Sequence, residues 1–330
     1  MSARTLGVAA ETWPIRGAFR LSRGAKNEAQ IVVATIGEDG VFGRGECVPY
    51  ARYGETVAGV VSSIEAARAD IEAGRQKNAI LASLPAGAAR NAIDCALIDL
   101  EAKRTQTPAH ALLGLAAPVP VRTCYTLSLD EPEAMAQAAA EAVAKGHGLL
   151  KLKLAGEGDL DRVGAVRTAA PDARILVDAN EGWSMDTLRR FAPALAKLGV
   201  ALIEQPLKAG HDAALETFAS PVPLCADESC HTGGDLEAAR RRYAVVNVKL
   251  DKAGGLSEAI RLVRGARQAG LGIMIGCMVS TSLAVAPAAL LAGDADFVDL
   301  DGPLLLARDR EPGLRYEGDM LMPPPRALWG

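Results

Sequence analysis

The chain has 330 residues, which allows about two domains, or one large barrel with an additional domain, and can bury a core without disulfides. Apolar residues make up 49% of the chain and charged residues 23%, with a net charge of −4, which excludes extensive disorder. No basic block is present to neutralise a run of phosphates, and aromatic residues are sparse, so we expect no nucleic-acid partner.

The cysteines and the apolar runs indicate the cellular compartment in which the protein works. Six scattered cysteines form no Cys-x-x-Cys pair, so a zinc site is not indicated, and unpaired thiols in a large chain favour a reduced, cytoplasmic setting. Residues 1–16 lack the apolar region of a signal peptide. The longest weakly polar stretch, 282–293, is too short to span a bilayer and contains Pro287, so we expect no membrane partner.

The first third of the chain combines strands with helices. Residues 29–36 are rich in β-branched side chains and predict a strand, followed by a turn at 38–40 and a partner strand over 41–46. Apolar spacing then predicts helices over 56–76 and 85–103. This succession is typical of an α+β domain.

After Pro118 the pattern changes to short apolar runs separated by alanine-rich stretches of helical character. Corresponding positions in seven of the runs are 22 to 26 residues apart. Eight such runs predict an α/β fold of the (β/α)8 TIM-barrel type, although an open parallel sheet stays an alternative. The runs cover 121–127, 149–154, 175–180, 201–206, 223–228, 245–250, 272–278 and 296–302.

Prolines crowd the end of the chain. They leave no room for a full helix after the eighth run, so the barrel is expected in a modified form in which the last strand lacks its helix. We expect the tail to return to the first domain. The predicted domains are an α+β capping domain, 1–117 completed by about 305–330, and a barrel over 118–304.

Three carboxylates end consecutive predicted barrel strands: Asp178, Glu204 and Asp227. Catalytic groups of such barrels lie at the carboxyl ends of the strands. Converging carboxylates repel one another unless a cation neutralises them, and oxygen-only ligands suit Mg²⁺ or Mn²⁺. Solvated loop carboxylates or helix N-caps are the alternative interpretation.

Lysines lie inside two predicted strands on opposite sides of the ring. Lys151 and Lys153 share one face of the second strand, about 7 Å apart, and Lys249 lies on the sixth. They could flank a substrate from its two faces, or extend to solvent from the strand ends, as we expect for Lys252. Two ammonium groups at about 7 Å repel by roughly 2.4 kcal/mol, or nearly two pK units, and a nearby Mg²⁺ would add to this, so we expect the pKa of Lys153 to fall from about 10.4 towards about 8. A lysine base with such a pKa suits abstraction of a C–H proton beside a metal.

Asp299 and Asp301 lie on one face of the eighth predicted strand. They are too far around the ring to join the other carboxylates, so they are candidates for binding a substrate cation such as an ammonium group. An acidic turn before Gly302 and Pro303 is an equally good interpretation.

Taken together, these motifs resemble the muconate-lactonising branch of the enolase superfamily, and within it the L-Ala-D/L-Glu (dipeptide) epimerases. The similarity covers essentially the whole chain. The motifs are Lys-x-Lys at 151–153, Asp-x-Asn at 178–180, Glu-Gln-Pro at 204–206, Asp-Glu-Ser at 227–229, Asn-Val-Lys at 247–249, Asp-x-Asp at 299–301, Pro85–Leu97 and Leu250–Gly255.

The resemblance implies a role for each of these positions. It implies Mg²⁺ on the three carboxylates, Lys153 and Lys249 as acid/base groups, Lys151 as an auxiliary, and a dipeptide ammonium on the Asp299/Asp301 pair. It also implies a loop over 16–28 that closes on the substrate. There Arg23 and Lys26 could meet a glutamate carboxylate or simply be solvated.

The resulting hypothesis is a cytoplasmic isomerase of murein-peptide metabolism that inverts the second residue of an L-Ala-D/L-Glu-like dipeptide by Mg²⁺-assisted transfer of a proton between two lysines. A homo-oligomer is compatible with the sequence. The alternatives are another reaction of the same branch, either cycloisomerisation or o-succinylbenzoate synthesis, and a non-catalytic ligand-binding relative.

Overall fold

A computed structural model describes residues 4–330. The chain begins with an antiparallel sheet of three strands, β1 (Thr5–Leu21), β2 (Gly24–Glu38) and β3 (Val41–Cys47). β1 pairs with β2 through a tight turn at residues 22–23, with an irregularity between Pro14 and Phe19. The strand expected at 29–36 is therefore longer. β1 was not expected, because Pro14 and Gly17 interrupt its apolar pattern and most of its side chains are not buried.

Five helices follow: α1 (Val57–Ala66), α2 (Arg68–Glu72), α3 (Lys77–Ala82), α4 (Ala88–Thr105) and α5 (Ala109–Leu112). The side chain of Thr56 accepts a hydrogen bond from the amide of Gly59 and caps α1. The single helix expected over 56–76 is divided at Ala67 into α1 and α2. α4 packs against β3 and contributes more buried apolar residues to the core of this domain than any other of its helices or strands.

The short strand β4 (Val121–Arg122) leads into a parallel sheet of eight strands, in which each strand pairs with the next along the chain. The amide of Cys124 donates a hydrogen bond to the carbonyl of Val298 at 2.9 Å, which joins the first strand to the last. The predicted barrel is thus confirmed, and the open sheet is excluded. Its strands are β5 (Tyr125–Leu127), β6 (Leu149–Lys153), β7 (Arg174–Asp178), β8 (Val200–Glu204), β9 (Leu224–Ala226), β10 (Val245–Lys249), β11 (Gly272–Gly276) and β12 (Phe297–Asp299).

Helices follow most of the barrel strands: α6 (Pro132–Ala144), α7 (Asp159–Ala169), α8 (Met185–Lys197), α9 (Leu236–Arg242), α10 (Leu250–Ala253), α11 (Leu256–Gln268), α12 (Ser282–Ala289) and α13 (Gly302–Leu305). The four residues of α13 agree with the missing final helix. β8 is followed by only a 3₁₀ turn at Ala213–Thr217, since prolines at 206, 221 and 223 shorten the connection. Across residues 4–330, every helix lacks the length or the apolar character needed to cross a bilayer.

The end of the chain contacts both parts of the molecule. β13 (Tyr316–Glu317) and β14 (Met320–Leu321) form a small sheet with β4. The indole of Trp329 donates a hydrogen bond to the carbonyl of Cys95 in α4 at 3.2 Å. On the contact of Trp329 with α4 we propose the division into a capping domain, 1–117 with about 305–330, and a barrel over 118–304.

Candidate active site

One cavity of about 890 Å³ lies between the carboxyl ends of the barrel strands and the capping domain. The capping domain contributes its β1–β2 hairpin and the segment that follows β3. The predicted site residues on the cavity wall are Lys26, Lys151, Lys153, Asp227, Lys249, Asp299 and Asp301. The fold therefore gathers most of the predicted site residues, from distant parts of the sequence, around a single space.

The three candidate metal ligands lie on neighbouring strands. Asp178 and Glu204 end β7 and β8 and are paired in register, and Asp227 directly follows β9. All three side chains are buried. Burial and the charge of Asp178 raise the pKa of Glu204 to about 7, so these carboxylates repel one another, as expected of a site that needs a cation.

Each of these carboxylates is paired with a lysine. The Nζ atom of Lys153 lies 2.6 Å from Asp178, that of Lys151 2.7 Å from Glu204, and that of Lys249 2.7 Å from Asp227. Within residues 4–330, the acidic, histidine and cysteine side chains form no group of three at the spacing of a metal centre. A metal ion would have to take the place of these lysine contacts.

The donor atoms themselves suit a hard divalent cation. Glu204 Oε2 and Asp227 Oδ1 are buried and accept no hydrogen bond from the part of the chain that the structure describes. Ammonium groups lie 2.7 Å from both atoms, but these contacts lack hydrogen-bond angles. Buried carboxylate oxygens without hydrogen bonds are suitable ligands for a hard divalent cation, so the residues fit Mg²⁺.

The lysines approach the cavity from opposite sides. Lys153 ends β6 and Lys249 ends β10, four strands away in a ring of eight. Lys151 is buried, and although burial opposes its charge, Asp299 and Glu204 outweigh this effect and raise its pKa. The space between two opposed amines suits a carbon atom that must exchange a proton on either face.

Lys252 differs from expectation. We expected its ammonium to reach solvent, but its side chain is 1% exposed. It donates hydrogen bonds to the carbonyl groups of Asp227, Cys230 and Asn247. The prediction was wrong because α10 begins directly after β10 and turns this lysine under the loop that carries Asp227.

Asp299 and Asp301 are both buried on the cavity wall. Asp299 contacts Lys151 at 2.6 Å, and Asp301 accepts a hydrogen bond from the amide of Thr126 at 2.6 Å. Burial and the charge of Asp299 raise the pKa of Asp301 to about 7. Their burial argues against a solvated acidic turn and supports a pair that receives a cation.

The two basic residues of the hairpin have different surroundings. The guanidinium of Arg23 donates to the carbonyl of Asn180 at 2.8 Å and to the hydroxyl of Tyr50 at 3.0 Å, and it pairs with Glu228 at 3.0 Å. Lys26 lines the cavity, with its ammonium 5.0 Å from the centre of the Tyr50 ring. Lys26 thus faces the cavity, whereas Arg23 is bound to protein groups.

Several residues at the site carried no predicted role. Asn180 donates to Asp178, and Asn247 donates to Glu204, so both orient candidate metal ligands. The motifs that contain them were noted, but their partners depend on the fold. Glu181 contacts arginines of the capping domain, and no pattern in the sequence indicates this.

Curated relatives of known activity cover nearly the whole chain. It is 47% identical over 313 residues to the L-Ala-D/L-Glu epimerase of Escherichia coli K12, a match that covers 95% of this chain and 98% of the relative. It is 44% identical to the N-acetyl-D-glutamate racemase of a Pseudoalteromonas species, a match that covers 91% and 95% of the two chains.

Solved structures agree with these relatives. A dipeptide-epimerase homologue from Agrobacterium tumefaciens, with bound sodium and L-Ala-L-Glu, is 47% identical, has a TM-score of 0.96, and the match covers 99% and 100% of the two chains. The dipeptide epimerase of Enterococcus faecalis, complexed with Mg and L-Leu-L-Tyr, is 30% identical and has a TM-score of 0.91, with 98% of each chain covered.

Two family models match the chain in succession. The N-terminal domain of mandelate racemase/muconate lactonizing enzyme matches residues 3–114, and the enolase C-terminal domain-like family matches residues 134–326. The chain therefore belongs to the mandelate racemase/muconate lactonizing enzyme family of the enolase superfamily.

Proposed function

We propose that the protein is a dipeptide epimerase, an isomerase that inverts the α-carbon of the second residue of an L-Ala-D/L-Glu-like dipeptide. The observation that carries the proposal is the opposition of Lys153 and Lys249 across one cavity. One amine removes the α-proton, and the other returns a proton to the opposite face. The roles exchange with the handedness of the substrate, and Lys151 adds positive charge beside Lys153.

Carboxylates at the two sides of the cavity would orient the dipeptide. Asp178, Glu204 and Asp227 would hold Mg²⁺, or Mn²⁺ in its place, and the metal would supply positive charge that acidifies the α-proton. Asp299 and Asp301 would receive the α-ammonium group of the substrate. This arrangement would put the second residue of the dipeptide between the lysines.

Lys26 is the basic side chain that we propose for a glutamate carboxylate of the substrate, because it lines the cavity. Arg23 would act indirectly. Its guanidinium donates a hydrogen bond to Tyr50 and so holds the ring that lies beside the ammonium of Lys26. All six cysteines are free thiols, which supports the cytoplasmic setting that we propose. The partner would be a small dipeptide, and a homo-oligomer remains compatible with this proposal.

Other reactions of the family are less well supported. Substrates of cycloisomerases and o-succinylbenzoate synthases carry no ammonium group, so they would bring no positive charge to the buried Asp299/Asp301 pair. N-Acetyl-glutamate also lacks this charge, which makes it a useful comparison substrate. A non-catalytic binding protein would not need opposed bases.

The test is incubation with L-Ala-L-Glu and Mg²⁺ in D₂O, with N-acetyl-L-glutamate in parallel. We expect deuterium at the glutamate α-carbon of the dipeptide together with formation of L-Ala-D-Glu, both lost with a chelator and restored by Mg²⁺. Lys153→Ala and Lys249→Ala should each abolish inversion, whereas the exposed control Lys197→Ala should retain it. Absence of exchange across a panel of dipeptides would overturn the proposal.

A further inference from the structure

Glu181 contacts two segments of the capping domain at once. It lies three residues beyond the end of β7, where Asn180 and Glu181 have positive φ angles of 44° and 68°. This left-handed backbone, rare outside glycine, turns the chain sharply at the mouth of the barrel. The carboxylate of Glu181 is 6% exposed.

The first contact is with the segment 48–56, which follows β3. Arg52 binds the Glu181 carboxylate with two nitrogen atoms, at 2.6 Å to Oε2 and 2.5 Å to Oε1. The amide of Ala209, in the loop after β8, also donates to Oε1 at 2.9 Å. A bidentate arginine pair of this kind fixes geometry as well as charge.

The second contact is with the hairpin turn between β1 and β2. Arg23 reaches Glu181 Oε2 at 3.2 Å, and the neighbouring Ser22 donates to the carbonyl of Asn180 at 2.9 Å. Arg23 also donates to Tyr50, so the two capping segments are joined to each other as well. Both segments supply cavity wall, the hairpin through Lys26 and the segment 48–56 through Tyr50 and Tyr53.

We propose that Glu181 is a positioning residue that holds both capping segments closed over the substrate. Without its charge, two guanidinium groups would face each other at the mouth of the cavity, and Arg52 would lose its carboxylate. Arg23 would keep Glu228, so the segment 48–56 should loosen more than the hairpin. The inference rests on the proposed epimerase function, because substrate is what the closed segments would retain.

The test compares Glu181→Ala and Glu181→Gln with the wild-type enzyme, using L-Ala-L-Glu turnover and amide hydrogen exchange without substrate. For Glu181→Ala we expect KM to rise by about tenfold with kcat changed by less than about threefold, since closure retains substrate rather than moving protons. Exchange should accelerate over both 20–28 and 48–56. Glu181→Gln keeps the side-chain length and should lie between wild type and Glu181→Ala.

Asp130→Asn is the matched control. Asp130 also joins the hairpin to the barrel, through Arg20 at 2.7 Å, but both side chains are about half exposed. It should change neither KM nor exchange, and all variants should keep the wild-type far-UV spectrum. An unchanged KM in Glu181→Ala, or faster exchange in only one segment, would overturn the inference. If the wild type turned over no dipeptide, the proposed function would fail, while exchange would still decide the role of Glu181.

Discussion

Asp251 is a buried acid at the contact between the two domains. Its Oδ1 accepts hydrogen bonds from the amide of Val48 at 3.1 Å and from the side chain of Asn91 at 2.8 Å. Burial raises its pKa to about 7, despite these hydrogen bonds. Between about pH 4 and pH 7 the folded protein therefore keeps a proton on Asp251, whereas the unfolded chain has already released it near pH 3.9.

The sign of the pH dependence follows from this raised pKa. The contribution of Asp251 to stability is complete below about pH 4 and is lost as the pH rises through about 7. Between about pH 5.5 and pH 8 the loss should reach about 2 kcal/mol. Asp251→Asn can keep both hydrogen bonds and should remove this loss.

Urea unfolding at the two pH values measures the effect. The free energy of unfolding of Asp251→Asn should fall less with pH than that of the wild type, whereas the exposed control Asp172→Asn should follow the wild type. Equal pH dependence in wild type and Asp251→Asn would show that Asp251 is already ionised in the folded protein.

The positions of single residues could be predicted where the barrel fold alone determines them. The ends of parallel strands meet at one edge, so the cavity-wall positions of Lys153, Asp227 and Lys249 follow from the sequence once a barrel is assumed. The partners of Glu181 and the burial of Lys252 could not be predicted, because both depend on how loops from distant segments pack.

At the scale of elements, α4 lies unusually close to β3. A Cβ atom added to Gly45 would overlap the carbonyl oxygen of Ala92, and one added to Gly43 would overlap that of Ala96. The helix can reach this distance only because β3 presents glycine. The contact between α4 and β3 is one of the most extensive in the capping domain, so a change that separates them should destabilise this domain.

Gly45→Ala should therefore destabilise the protein by about 3 kcal/mol, because backbone atoms of α4 cannot move aside as a side chain could. Gly7→Ala, in the same sheet, is the control: its nearest contact would be an ordinary 3.9 Å. Thermal unfolding of both variants measures the difference. Equal melting temperatures would mean that α4 can shift on the sheet without cost.

The elements themselves were only partly predictable. Eight strand-like runs with regular spacing indicated the barrel, because a buried parallel strand leaves a continuous apolar run. β1 could not be predicted, because Pro14 and Gly17 break its alternation of apolar and polar residues. Its stability comes from pairing with β2. The 3₁₀ turn after β8 replaced a helix for a similarly local reason, the surrounding prolines.

At the scale of the whole molecule, Glu46 joins three distant segments. It lies in β3, accepts a hydrogen bond from the amide of Thr281 before α12 at 2.8 Å, and pairs with Arg310 of the tail at 2.9 Å. Its side chain is fully buried. Burial raises the pKa of Glu46, and Arg310 and Thr281 act in the opposite direction.

Removing one partner of such a buried pair leaves the other charge without compensation. Arg310→Met should therefore destabilise the protein by about 3 kcal/mol or more. Adding Glu46→Gln should recover much of this loss, because a neutral amide oxygen can still accept the hydrogen bond of Thr281. Urea unfolding gives the free energy of unfolding of the two single variants and of the double variant, which completes a double-mutant cycle. Additive losses would show that the two charges do not interact, and that Arg310 stabilises the tail through its other contacts, such as that with Glu11 at 2.9 Å.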